Sequence, residues 1–265
     1  MALKKAIFLF NESDVMPGPW LAAGYECWSF DGKHPEGITR DGNHVKVGMW
    51  FHGDRTMEHA KEIAIMVGKG VEFIASFAEC TYLTNTGAKW FYHPDDKHLP
   101  TSERRPHPRY PNRAHDRQMA VNLAFLVIAV AERCNELNGY EWLIPWMLEN
   151  PHANHLATAW RSADHSFHPF EYGGYLPIDD VHPKFPQVYP PRDAYPKKTG
   201  IWCNDEFVMP TRLPVEVTSL KDGKPVNPGW YAAGGRSNRT KEIRSITPRG
   251  FAIAVARANM RDEKA

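Results

Sequence analysis

No CxxC pair and no tight cysteine framework occur in this chain; Cys27, Cys80, Cys134 and Cys203 are scattered along it. That spacing argues against a zinc site or a disulfide scaffold and favours a reducing, cytoplasmic setting, with no bound metal expected. No apolar stretch reaches membrane-spanning length, so no membrane partner is expected; the longest, Ala120 to Ala131, is a core-helix candidate. The run after Met1-Ala2-Leu3-Lys4-Lys5 is too short for the apolar part of a signal peptide and ends at Asn11-Glu12-Ser13-Asp14. Repeats and low-complexity tracts are absent. A formal net charge of +1 gives no global pointer to a polyanionic partner.

What is present is material for a packed domain. With 265 residues, 42% of them hydrophobic, the chain can build one sizeable core, or a core with a small appended lobe. Charge is concentrated locally. Arg104, Arg105, Arg109, Arg113 and Arg117 cluster with His107 and His115, and Arg236, Arg239, Lys241, Arg244 and Arg249 form a second group. Either cluster could follow phosphates or simply be a solvated surface.

Apolar, β-rich segments alternate with helical spacing. Strands are expected over Lys5–Phe10, Glu26–Phe30, His44–Phe51, Val71–Phe77 and Glu141–Leu148. Helices are expected over Val15–Ala23, Thr56–Val67, Arg113–Leu137 and Arg249–Met260, the last with Thr247 as N-cap and Pro248 at its first position. The alternation predicts an α/β fold with a doubly wound, mostly parallel, Rossmann-like sheet. From His152 the pattern loosens into Pro, His, Tyr and Gly, with strand-like pieces at Gly200–Cys203 and Pro214–Ser219. The expected division is a core over 1–151, an irregular lobe over 152–245, and a C-terminal helix over 246–265 returning to the core.

Polar residues fall at successive strand ends: Asn11 and Glu12, Asp31, Asp54, Cys80 and Glu149. In open α/β sheets this is the edge where ligands bind. Cys80, delivered there by an apolar run, is a candidate nucleophile, although a single cysteine is more often an inert core residue. Asp31 suits a ribose diol and Asp54 an exocyclic amine; Asp beside Gly also simply makes turns. Glu149 is a carboxylate that, held protonated near Cys80, could donate to a ring nitrogen. The pair suits thiolate addition to C6 of an electron-poor pyrimidine, which turns C5 into a nucleophile. Glu149-Asn150 could alternatively cap a helix.

Several segments, in order, resemble the C5-cytosine DNA methyltransferases, in particular a short phage and prophage-encoded branch. They are Phe10-Asn11-Glu12-Ser13 with Leu21 to Asp31, His52-Gly53-Asp54, Cys80-Thr81-Tyr82-Leu83-Thr84-Asn85-Thr86-Gly87-Ala88-Lys89-Trp90, and Glu149-Asn150-Pro151. His168 to Gly173, Lys197 to Trp202 with Pro210-Thr211, and Ile246 to Ala252 continue the likeness. The resemblance implies S-adenosylmethionine, or a close analogue, as cofactor. Phe10 would lie at the cofactor, with Asn11, Glu12 and Ser13 at its methionine end, Asp31 at its ribose and Asp54 at its adenine. It implies DNA with a flipped cytosine as partner, Cys80 as nucleophile and Glu149 at N3. Thr84, Asn85, Lys89, Lys197 and Thr199 would then lie at the substrate. The cytoplasm of a bacterial host is the expected location.

Two departures stand out. Ala78-Glu79-Cys80 replaces the family's Pro-Pro-Cys, so Glu79 joins the candidate catalytic residues as a charge beside the thiol. Asn11-Glu12-Ser13-Asp14 replaces a Gly-rich loop. They leave open a DNA pyrimidine modification with an altered cofactor or substrate, or a catalytically dead relative that binds DNA or cofactor.

Overall fold

The computed structural model describes residues 3–232 and 237–261; Arg236 of the second basic cluster lies outside them. In chain order the elements begin β1 (Lys5–Leu9), α1 (Pro17–Ala22), β2 (Glu26–Asp41), β3 (His44–Gly48), α2 (Thr56–Val67) and β4 (Val71–Ser76). They continue α3 (Arg113–Ala124), α4 (Leu126–Asn138), β5 (Trp146–Pro151), α5 (Leu156–Ala159), β6 (His165–Phe167) and β7 (Thr199–Cys203). Last come β8 (Leu220–Lys221), β9 (Lys224–Pro225), α6 (Pro228–Ala232), α7 (Asn238–Ser245) and α8 (Arg249–Asn259).

β1 to β7 form one sheet in the order β3-β2-β1-β4-β5-β7-β6, and the separate β8-β9 pair is antiparallel. β1 pairs in parallel with β2 and β4, and β4 with β5, while β7 runs antiparallel to both β5 and β6. Helices cover both faces, giving a Rossmann-like, doubly wound α/β fold. The period of two along β1 decides which side chain goes where. Ile7 and Leu9 join the core under α2 and α4, with Ile63, Val67 and Val130. Ala6 and Phe8 join the opposite core, with Trp20, Phe73 and Phe251. Both faces are apolar, so the central strands read as nearly continuous hydrophobic runs. Trp20 stacks on Phe73 with centroids 4.4 Å apart, fixing α1 to the sheet.

Several segments differ from the sequence expectation, among them β3, which ends at Gly48 and not at Phe51. The expected helix over Arg113–Leu137 is divided at Phe125, whose N–H bonds to the Asn122 carbonyl and whose ring packs edge-on against Trp160. β2 does not stop at Phe30. Cys27 to Asp31 rise in register with His44 to Gly48, and the chain then crosses the end of β3. Gly37 to Asp41 return along β3 in descending register. Gly48 permits the crossing, because a Cβ there would lie 2.1 Å from the Pro35 carbonyl oxygen. β5 begins later than expected and runs through Glu149-Asn150-Pro151, because antiparallel β7 supplies partners from Trp202 to Thr199. Finally, β6 and β7, from the segment expected as an irregular lobe, complete the central sheet, whereas Pro214–Ser219 forms no strand. The α8 boundary also shifts by one residue: Pro248 occupies the N-cap, and Thr247 lies outside.

Candidate functional site

The parallel strands end together at one edge: Phe10 and Phe77 follow β1 and β4 there, Asp31 is where β2 turns across the end of β3, and Pro151 is the last residue of β5. Because β7 runs the other way, it enters at this edge, with Thr199 opposite Pro151. Lys197, two residues before Thr199, is therefore brought to the same end as Cys80 and Glu149. Along β5, Leu148 packs on the α2 and α4 side, so Glu149 points to the other face, with Met147 and Ile201.

Asn150 ties the two strand ends together. Its Nδ2 donates to the Ala78 carbonyl at 2.8 Å, two residues before Cys80. Its Oδ1 accepts from Asn154 Nδ2 at 2.8 Å, and Asn154 Oδ1 accepts from the Leu156 N–H. The His155 N–H donates to Leu83 O at 2.7 Å, and the Leu83 and Thr84 N–H groups both donate to Cys80 O. Buried Arg113 donates from Nη2 to Thr81 O at 3.1 Å while its guanidinium lies over Tyr82 and Phe91. Asn150 thus has no helix-capping role. The sequence signal for this clamp was the Glu-Asn-Pro segment itself; Asn154 and Arg113 carried no local signal of their partners.

Cys80 is half-buried, and its three sister cysteines are buried. Burial pushes its thiol above the usual range, Glu149 adds to that shift, Lys197 opposes it, and Glu79 adds a smaller push. Burial also raises the Glu149 carboxyl, against the pull of Lys197. The Glu149 charge disfavours the Cys80 thiolate, and Lys197 opposes the upward shift of both groups. A protonated Glu149 is a hydrogen-bond donor, and Lys197 supplies the positive charge that a thiolate needs beside it.

The opposite half of the edge carries the candidate cofactor residues. Phe10 adopts φ 54°, a left-handed turn that directs the chain off β1, and its ring meets Phe51 edge-on at 4.9 Å. Asn11 is buried, donating to Ser13 O at 2.7 Å and to Ser29 Oγ at 3.3 Å. Glu12 pairs with the Lys33 ammonium, which Asp31 also attracts, while one Asp31 oxygen accepts from the Lys33 N–H at 2.9 Å. The indole of Trp50 lies against Gly32 beside Asp31. Asp54 is exposed, on a turn held where the Gly53 carbonyl accepts from Asn122 Nδ2 at 3.0 Å. Ser76, wholly buried at the end of β4 opposite Leu9, has no partner for its hydroxyl among the described residues.

Two carboxylates already share a cation, a further one is open to solvent, flat rings flank them, and a buried hydroxyl is unsatisfied. The remaining candidates are more dispersed. Asn85 and Lys89 lie exposed on a 3-10 turn, with the Lys89 ammonium 5.0 Å from the Trp90 ring centroid, and Thr84 bridges to Asn154 through the backbone. Thr199 is buried, and its hydroxyl donates to Lys197 O at 3.2 Å, so it shapes the Lys197 turn. Glu79 is exposed and accepts from the Thr81 hydroxyl at 2.6 Å, and no cation pairs with it among the described residues. Arg105 is locked on buried Asp96 at 2.6 Å, and Arg249 on Asp180 and Asp193, so both basic clusters are partly structural.

Among the described residues no group of three or more His, Cys, Asp or Glu side chains is placed to hold a metal ion, and no helix is long and apolar enough to cross a membrane. No family model matches the chain, and a search of curated proteins finds no match.

Proposed function

We propose that this protein transfers a methyl group to C5 of cytosine in DNA, with Cys80 as nucleophile and Glu149 as the acid at N3. The observation that carries the reading is the Asn150 clamp, which ties the Cys80 loop to the strand bearing Glu149. The strand order supports it by fold-level analogy, since the resemblance implies a Rossmann-like methyltransferase sheet.

The Cys80 thiolate forms an Sγ–C6 bond, and the C5–C6 π electrons move to C5. Glu149, whose protonated form burial favours, donates to N3 and stabilises the electron-rich ring. Lys197 offsets the negative charge of the thiolate before attack. S-adenosylmethionine, when bound, supplies an electrophilic methyl group; Asp31 would hold its ribose, Asp54 its adenine, and Glu12 its cationic methionine end. With the methyl carried to C5, S-adenosylhomocysteine would be the leaving group; loss of the C5 proton to solvent then expels Cys80 as thiolate and restores the aromatic ring. The cytosine must leave the base stack to reach the sheet edge. Exposed Lys89 and Arg109, on the segment that follows Cys80, are suited to phosphates. The outward position of Glu79, against Thr81, supports plain methyl transfer over a role for Glu79 in selecting the base.

The test is DNA carrying 5-fluorocytosine. Fluorine blocks the elimination, so wild-type protein with S-adenosylmethionine should form a stable covalent adduct and Cys80→Ser none. An adduct that survives Cys80→Ser would mean that another residue attacks. No adduct in the wild type, and no 5-methylcytosine in the DNA of expressing cells, would end the reading.

A further inference from the structure

A second surface, formed by β8, β9, α6 and α7, presents aromatic rings and cations together. Trp230 and Tyr231 are 55% and 59% exposed, which is unusual for adjacent large rings on a short helix. With Pro225, Val226 and Asn227 they line an open cavity of about 450 Å³. Lys221 Nζ lies 4.2 Å from the Tyr231 ring centroid, and the Arg244 guanidinium 4.9 Å from that of Trp230. Lys224, Arg239 and Lys241 are exposed on the same elements. Against these five cations stand two acids, Asp222 and Glu242, and Glu242 is already paired with Lys184.

The surface is mounted firmly and close to the sheet edge. Tyr189 donates its hydroxyl hydrogen to Ile243 O at 2.5 Å, and Ile243 and Ile246 pack with Phe185, Tyr189 and Tyr195. Glu242 acts electrostatically on Lys33, which pairs with Glu12 at the end of β1. Tyr195 lies two residues before Lys197.

We propose that this surface is a stacking platform for a single strand of nucleic acid, beside the cleft. Cations fix the charge of the partner as negative and repeated. Each ring also holds a cation within about 5 Å and keeps more than half its area in water, ready to take a flat partner. Bases in a duplex are stacked on one another and cannot reach such rings, whereas unpaired bases can. The platform rests on the reading of DNA as partner, and it gives the unpaired stretch around an extruded base a place to lie.

The experiment measures fluorescence anisotropy of a labelled oligothymidylate and of a duplex of equal length, using the full chain. Trp230→Ala with Tyr231→Ala should weaken binding of the single strand on the order of tenfold for each ring lost, and binding of the duplex far less. Lys221→Glu with Lys224→Glu, which keeps the rings, should weaken binding and flatten its salt dependence. Both variants should still form the Cys80 adduct with 5-fluorocytosine DNA at saturating DNA, which shows that they fold. A double alanine variant with wild-type affinity for the single strand overturns the platform alone, as does an equal loss for the duplex. A wild-type protein that binds neither probe overturns the platform together with the DNA reading.

Discussion

Replacing Asn150 by alanine should separate the positioning of the nucleophile from its chemistry. The change removes two 2.8 Å hydrogen bonds and leaves Ala78 O and Asn154 Nδ2 without their partners. Asn150 is 1% exposed and Asn154 5%, so water reaches these groups poorly. A buried group left unpaired costs roughly 1–3 kcal/mol, which brackets the loss at about 2–6 kcal/mol. That is a large part of the roughly 5–15 kcal/mol that holds a typical domain together. Urea denaturation should show a lower midpoint with an unchanged slope. Cys80 remains present but loses the tether two residues upstream, so adduct formation with 5-fluorocytosine DNA should slow on the order of tenfold to a hundredfold. The control is Asn204→Ala, which also removes two bonds, to Ile144 O and from the Trp146 N–H, at the opposite end of β5. It should lower stability without slowing the adduct. An Asn150→Ala protein with the wild-type adduct rate would refute the argument, whatever its stability.

Three further outcomes are expected. Glu149 raises the Cys80 pKa, so Glu149→Gln should bring the thiolate out at lower pH, seen as a downward shift in the pH profile of iodoacetamide alkylation, while abolishing the DNA adduct; an unmoved profile would mean that the two groups are not coupled. Asp31→Ala should weaken S-adenosylmethionine by about tenfold or more in calorimetry, since a hydrogen bond to a charged group is worth about 1.5–3 kcal/mol, and Asp54→Ala should do likewise; unchanged affinity in both would remove the nucleoside assignment. Glu79→Pro should leave the modified base unchanged in nucleoside mass spectrometry, because the Glu79 carboxylate is turned toward Thr81; a different product would make Glu79 a specificity residue.

The alternation of apolar segments was enough to read the parallel half of the sheet, because each buried strand is also a local run of β-rich residues. Val71 to Ser76 is legible for that reason, and Thr56 to Val67 because its apolar residues recur at helical spacing. What was not legible depends on partners distant in sequence. β5 extends through Glu149 only because β7, some 50 residues on, pairs with it. β6 has three residues and no periodicity, and β2 continues past Asp31 because Gly48 lets the chain cross. In the site, residue types at strand ends were readable one at a time. Their grouping was not: the resemblance suggested Lys197 only as a residue at the substrate, whereas the reversed strand places its charge on Cys80 and Glu149. Asp31 and Glu12 were read as ligands for a cofactor, and the cation that they hold in the structure is Lys33.

Ala78-Glu79 stands where the family that the chain resembles has two prolines, and under the proposed reading this bears on how the nucleophile is held. Prolines stiffen a loop by fixing φ, an effect that acts largely through the unfolded chain. Here the same loop is held by bonds that exist only in the folded state. Ala78 O is bound by Asn150, Cys80 O by two N–H groups, Thr81 O by Arg113 and Leu83 O by His155. Three of these anchors, from Asn150, Arg113 and His155, come from outside the loop and leave little freedom at Cys80, so Ala78-Glu79 does not by itself imply a slack site. The rigidity comes from Asn150, Asn154 and Arg113 and not from prolines in the local backbone. The positioning of the thiol then depends on the packing of β5 against the loop, which is why the reactivity of Cys80 should be sensitive to a residue that touches neither cofactor nor base.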